Sequence, residues 1–89
     1  MQSIAHAASG GARRWNDGDG EHIDVRGLAA PAPLVEILRL VAGGVAGAVI
    51  VHHDRDPLLL YPRLAEIGWT AEQIAGEPGE VRLRLVPAP

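Results

Sequence analysis

The densest group of side chains able to do chemistry is His52-His53-Asp54-Arg55-Asp56, two imidazoles and two carboxylates within five residues. Imidazole with carboxylate is a donor set that suits zinc, iron or copper. Successive side chains of a strand point to opposite faces, so His52 and His53 are not expected to serve one ion together. A metal site there needs His53 with Asp54 or Asp56, and a further ligand from elsewhere such as His22. The plainer use of the same residues is structural. Asp56 before Pro57 reads as a helix cap followed by proline at the first helical position, Asp54 as a turn residue, and His53 as a loop-ordering hydrogen-bonding group. The structural use is the expected one, so no cofactor is anticipated. A transition metal on His53, Asp54 and Asp56 is the alternative.

A second group is Asp24-Val25-Arg26-Gly27-Leu28-Ala29-Ala30-Pro31-Ala32-Pro33. It ends where a helix begins, and backbone N–H groups at a helix start point outward and can hold an anion or a partner's carboxylate. Pro31 and Pro33 have no N–H, which leaves Ala32, Leu34 and their neighbours as donors. Arg26 adds charge nearby, although Asp24 and Arg26 also read as a mutually paired surface couple of small energetic effect. Arg82 and Arg84, with Arg26, make a third group, a guanidinium set that recruits acidic partners or phosphate unless its members are simply the polar positions of a one-sided sheet. Trp69 and Tyr61 either mark a small interaction patch or complete the core around the second helix.

Other chemistries are excluded or unsupported. With no cysteine in the chain there is no disulfide, thiolate metal site or cysteine nucleophile. No Ser/His/Asp set, phosphate-binding glycine loop or carboxylate pair stands out. Enzyme activity is therefore the weaker class. All eight basic residues are arginine against eleven acidic ones, a net charge of −3, so nucleic acid is not an expected partner.

The elements that must position these groups are short. His22 to Arg26 alternates, with Ile23 and Val25 on one face, which predicts a half-buried strand. Leu34, Ile37, Leu38 and Val41 fall at i, i+3, i+4 and i+7, which predicts an amphipathic helix begun near Pro31 and stopped by Gly43-Gly44. Ala48 to His52 is a strand covered on more than one side. A second helix is expected from Pro57 through Leu64 and Ile67 to Gly68, with a loose or kinked first turn because Pro62 removes a backbone bond there. Trp69 to Ala75 is ambiguous. Thr70-Ala71-Glu72-Gln73 scans as a capping box, yet Gly76-Glu77-Pro78-Gly79 is a turn signal and Val81, Leu83 and Leu85 alternate with Arg82 and Arg84 as a strand beyond it. Residues 1–20 lack an apolar period and read as a flexible N-terminal arm, with Trp15 able to pin part of it, before a domain over 21–89. The apolar run from Leu40 to Val51 is about twelve residues against the roughly twenty of a membrane span, so no membrane is expected. Arg13-Arg14 has no apolar region behind it to make an export signal, and the cytoplasm is the expected location.

The decapeptide Asp24–Pro33 resembles the D-x-R-G-L-x-C-P-x-P signature of the TusA/SirA-like sulfur carriers, matching at Asp24, Arg26, Gly27, Leu28, Pro31 and Pro33. His53-Asp54-Arg55-Asp56-Pro57-Leu58, with Tyr61-Pro62 and Gly68-Trp69, resembles a Cys-less bacterial branch of unknown function. The resemblance runs from about Ile23 to Val86. It implies a two-layer α/β sandwich, β-α-β-α-β-β, with two helices on one face of a mixed four-stranded sheet, and it assigns Trp69–Ala75 to a strand. The carriers' thiol position is Ala30 here, so their activity is not implied. The expected function is a small non-catalytic binding or accessory module for a protein partner or small anionic ligand. Its expected interaction site joins Asp24, Arg26, Ala30, Pro31 and Pro33 with His53 and Asp54, since ligands of α/β sheets gather where strands run into helices. The alternative is a metal-binding or redox-auxiliary protein built on the His53/Asp54/Asp56 loop.

Overall fold

The structure is a computed structural model and describes residues 11–89. Its elements run β1 (Arg13–Asp17), β2 (Gly20–Asp24), α1 (Ala32–Ala42), β3 (Val49–His53), α2 (Leu60–Glu66), β4 (Trp69–Ile74) and β5 (Val81–Pro87). The five strands form one mixed sheet in the order β1-β2-β3-β5-β4. Only β2 and β3 are parallel neighbours, joined by α1 as a crossover helix, while β1–β2, β3–β5 and β4–β5 are antiparallel.

Alternation decides which residues meet the helices. Ile23 and Val25, Val49 and Val51, Leu83 and Leu85 share one face and pack with Ile37 and Val41 of α1 and Leu60 and Leu64 of α2 in a single core. Both helices therefore lie on the same side. α1 follows the sequence pattern closely: Ile37 and Val41 are buried, and the helix stops at Gly43, with Gly44 following at φ 90°.

Two expectations are corrected. The sheet has five strands, not four, because Arg13–Asp17, assigned above to the arm, pairs along all of β2 through the two-residue turn Gly18-Asp19. Residues 1–10 of that arm lie outside the described residues. The turn hands over at Gly20, where a Cβ would sit 2.4 Å from the Ala48 carbonyl oxygen, so only glycine fits. Second, α2 begins at Leu60 rather than Pro57, and Asp56 does not cap it. Starting three residues later puts Pro62 in the first turn, where a missing N–H leaves no helical bond unmade. The segment Trp69–Ile74, open between helix and strand on local signals and assigned to a strand by the resemblance, is a strand with six partners on β5. The capping box loses because, as a strand, the segment pairs with β5 along its whole length and packs Trp69 and Ala71 against the core.

Among the described residues no helix is long and apolar enough to cross a membrane.

Candidate functional site: a cavity at two strand-to-helix junctions

Two loops leave the sheet side by side, β2–α1 and β3–α2, and one carboxylate ties them. Asp54 Oδ2 accepts the Gly27 N–H at 3.0 Å. That bond, ahead of the contact with His53, holds the Asp54 carboxyl below its ordinary range. His53, at the end of β3 and 3 % exposed, turns its Nδ1 to its own loop, where it accepts the backbone N–H of Asp54 at 2.9 Å and of Arg55 at 3.3 Å. The same nitrogen also lies 3.2 Å from Asp54 Oδ1, so the ring is tied into its own loop in either tautomer. Asp56 accepts the Tyr61 hydroxyl. Desolvation of the phenol, with this bond second, pushes Tyr61 up to about 12.

Between the loops lies a cavity of about 280 Å³. Leu28, Ala30, Pro31, Pro33 and Leu34 form its α1 side, and His53, Arg55 and Asp56 to Leu60 its β3–α2 side. Leu58 and Leu59 remain 69 % and 74 % exposed at this edge, a large apolar area for so small a domain to leave uncovered. Four of the seven expected interaction residues, Ala30, Pro31, Pro33 and His53, meet in this cavity. Asp54 braces it from behind. Asp24 and Arg26 stand apart from it as a bidentate pair, with Nε–Oδ1 at 2.9 Å and Nη2–Oδ2 at 2.8 Å, which lowers the Asp24 carboxyl and raises the guanidinium. Nor do Arg82 and Arg84 form a free guanidinium set with Arg26: they bond Glu80 and Glu72.

The bracing role gives a direct expectation. Asp54→Ala and His53→Ala should each lower unfolding free energy by about 0.5–2 kcal/mol, the usual range for a lost buried or capping hydrogen bond. Urea unfolding at neutral pH measures it. Unchanged stability in both variants would mean the two junctions are not held together by these bonds.

The opposite face of the sheet carries an arrangement that sequence reasoning missed. His22 Nε2 bonds Asp19 Oδ1 at 2.7 Å, His22 Nδ1 lies 2.8 Å from His52 Nε2, and His52 Nδ1 bonds Glu80. Arg82 clasps Glu80 in turn through Nε at 3.0 Å and Nη2 at 2.9 Å. Trp15 stacks over both rings, with centroids 5.0 Å from His22 and 5.2 Å from His52. The Asp19–His22–His52–Glu80 chain thus runs from one carboxylate to another through two stacked imidazoles. His22 was considered above as a companion of His53; the structure puts it beside His52, across the sheet from His53. The signal was parity: His22 and His52 are both outward positions of neighbouring strands. Among the described residues, the ligand atoms of Asp17, Asp19 and His22 also come within 4.8 Å of one another at the β1–β2 turn.

A protein-family model, described as an uncharacterized conserved protein (DUF2249), matches residues 22–87. The chain belongs to the DUF2249 family. No curated protein and no solved structure matches it. The DUF2249 match takes in the whole cavity, both stacked histidines and Glu80. It begins after β1, so Trp15 and Asp19 reach the His22–His52 pair from outside the matched segment.

Proposed function

We propose that this protein is a non-catalytic binding module whose recognition site is the cavity between the β2–α1 and β3–α2 loops. The observation that carries the reading is the cavity itself: an apolar hollow with exposed leucines at its edge and one buried imidazole in its wall. Nothing in it is arranged for turnover. Of the titratable groups in its lining, His53 spends Nδ1 on its own loop and Asp56 accepts the Tyr61 hydroxyl, so no general base is oriented against a nucleophile there.

The reading includes a TusA-like ancestry for the fold. Support comes from the strand and helix order after β1 and from the place of the D-x-R-G-L-x-x-P-x-P residues, which end at the cavity wall. Ala30 stands in that wall where the sulfur carriers have their thiol. With no thiol anywhere in the chain, sulfur carriage is not part of the proposal.

The metal-binding alternative fares less well on the same hydrogen bonds. His53 Nδ1 is taken up by its own loop, facing the Asp54 and Arg55 N–H groups and Asp54 Oδ1. Asp54 and Asp56 are committed to Gly27 and Tyr61.

The test uses toluene as a neutral apolar probe, followed by backbone amide shifts. Saturable shifts are expected at Leu34, His53 and Leu59. They should disappear in Ala30→Trp, whose indole fills the hollow from an exposed position. An absence of saturable shifts around the cavity would overturn the reading.

A further inference from the structure

The chain enters the fold beside the cavity. β1 runs antiparallel to β2 with Arg13 opposite Asp24, so the start of β1 lies at the end of β2 from which the β2–α1 loop departs. That loop carries one wall of the cavity. Gly11, the first residue the structure describes, rests against it: a Cβ built there would stand 3.4 Å from Leu28 Cδ2, and Leu28 lines the hollow. Ala12 packs on the core beneath the helices, so the chain reaches β1 on the helix side of the sheet.

Ten residues precede Gly11. None of them is Asp, Glu, Lys or Arg, although these types make up 21 % of the whole chain. Met1, Ile4, Ala5, Ala7 and Ala8 are apolar, and Ile4 is the one β-branched side chain among the ten. Burying a charge without a partner is costly, so an uncharged segment is the part of this chain best suited to an apolar hollow. Reach is ample. The seven residues from Ile4 to Gly11 span up to about 23 Å when extended, and the wall they must reach already touches Gly11.

Resting on the binding-cavity reading above, we propose that the cavity's occupant in the free protein is its own segment 1–10, with the Ile4 side chain seated against Leu28 and Leu59. The segment then covers the two leucines left exposed at the cavity edge, and an outside ligand must displace it. A short tether gives an effective concentration on the order of millimolar, so modest apolar contact is enough to fill the hollow. Size sets what enters. At about 280 Å³ the cavity is at the small end of ligand pockets, room for one or two side chains and not for the decapeptide whole.

The experiment uses the full chain with labelled methyl groups. Nuclear Overhauser contacts are expected from the Ile4 methyls to those of Leu28 and Leu59, and they should fade as toluene saturates the cavity. Ile4→Asp lies outside the cavity wall and leaves β1 intact. It should shift the Leu34, His53 and Leu59 amides and tighten toluene binding by about threefold or more, because the tethered competitor is weakened. Saturable toluene binding of equal strength in both proteins, with no contact from residues 1–10 to the wall, would overturn the proposal and leave the cavity reading standing. Absence of saturable shifts in either protein, with no such contact, would overturn both. Contacts that persist between labelled and unlabelled copies in a mixed sample would assign the segment to a second copy, which also overturns the proposal.

Discussion

Replacing Glu80 with glutamine is expected to cost about 2–3 kcal/mol at neutral pH, lowering the melting temperature by roughly 10–20 °C in a domain of this size. The Glu80 side chain is 1 % exposed, yet it is charged, because every side of the carboxylate is occupied. Arg82 clasps it first, the Glu77 N–H donates to Oε1 at 2.8 Å, and His52 reaches Oε2. Together these hold its pKa at about 2 against an ordinary 4.5, despite the opposing effect of burial. Glutamine keeps the shape and can still accept from Glu77, but it leaves Arg82 without a counter-charge and the histidine chain without its terminal anion. A pKa depressed in the folded state gives stability that is complete above the unfolded value, near 4.5, and is lost as pH falls towards 2. The full linkage is about 3 kcal/mol. Urea unfolding between pH 7 and pH 2.5 should therefore show a steep acid loss in the unaltered chain and a markedly flatter one in Glu80→Gln. Parallel acid limbs for the two proteins would refute the account of Glu80.

How legible these features were in the sequence depends on whether one residue's neighbours in the chain are also its neighbours in space. β2, α1, β3 and β5 were readable because Ile23/Val25, the Leu34–Val41 stripe and Val81/Leu83/Leu85 each carry a single uninterrupted period. Trp69–Ile74 satisfied a helix signal and a strand signal together, and only pairing with β5 separates them. β1 was not readable. Arg-Arg-Trp-Asn-Asp has no alternation, because an edge strand exposed along most of its length needs one apolar contact, which Trp15 supplies. At the start of α2, the local cap signal of Asp56-Pro57 yielded to Pro62, a residue whose demand is met only by shifting the helix. The cavity divides the same way. Ala30, Pro31, Pro33 and His53 were found because strand-to-helix junctions are visible as sequence boundaries. The His22–His52–Glu80 chain was not found, since its members are about thirty residues apart and the register that joins them is a property of the sheet.

That register gives β1 more weight than its sequence suggests. A chain begun at Glu21 is expected to lose about 2–4 kcal/mol of stability and to self-associate, although residues 1–20 read from sequence alone as a flexible arm. Three losses combine. The five pairs that cover β2 are removed, leaving an open edge able to recruit another chain. Trp15 no longer stacks on His22 and His52, and aromatic stacking alone contributes about 0.5–1.5 kcal/mol beyond the area it buries. Asp19 goes too, so His22 Nε2 loses its hydrogen-bond partner. Trp15→Ala in the full chain isolates the stacking from the pairing and should cost about 1–2 kcal/mol, less than the truncation, because Trp15 is only half-buried. The core facing the helices takes nothing from β1's strand residues, so the truncated protein should still show α-helical circular dichroism and a cooperative, lower transition. Thermal unfolding of the three proteins, with sedimentation to follow association, measures all of this. A truncated chain as stable and as monomeric as the full one would show that β1 rests on the sheet without supporting it.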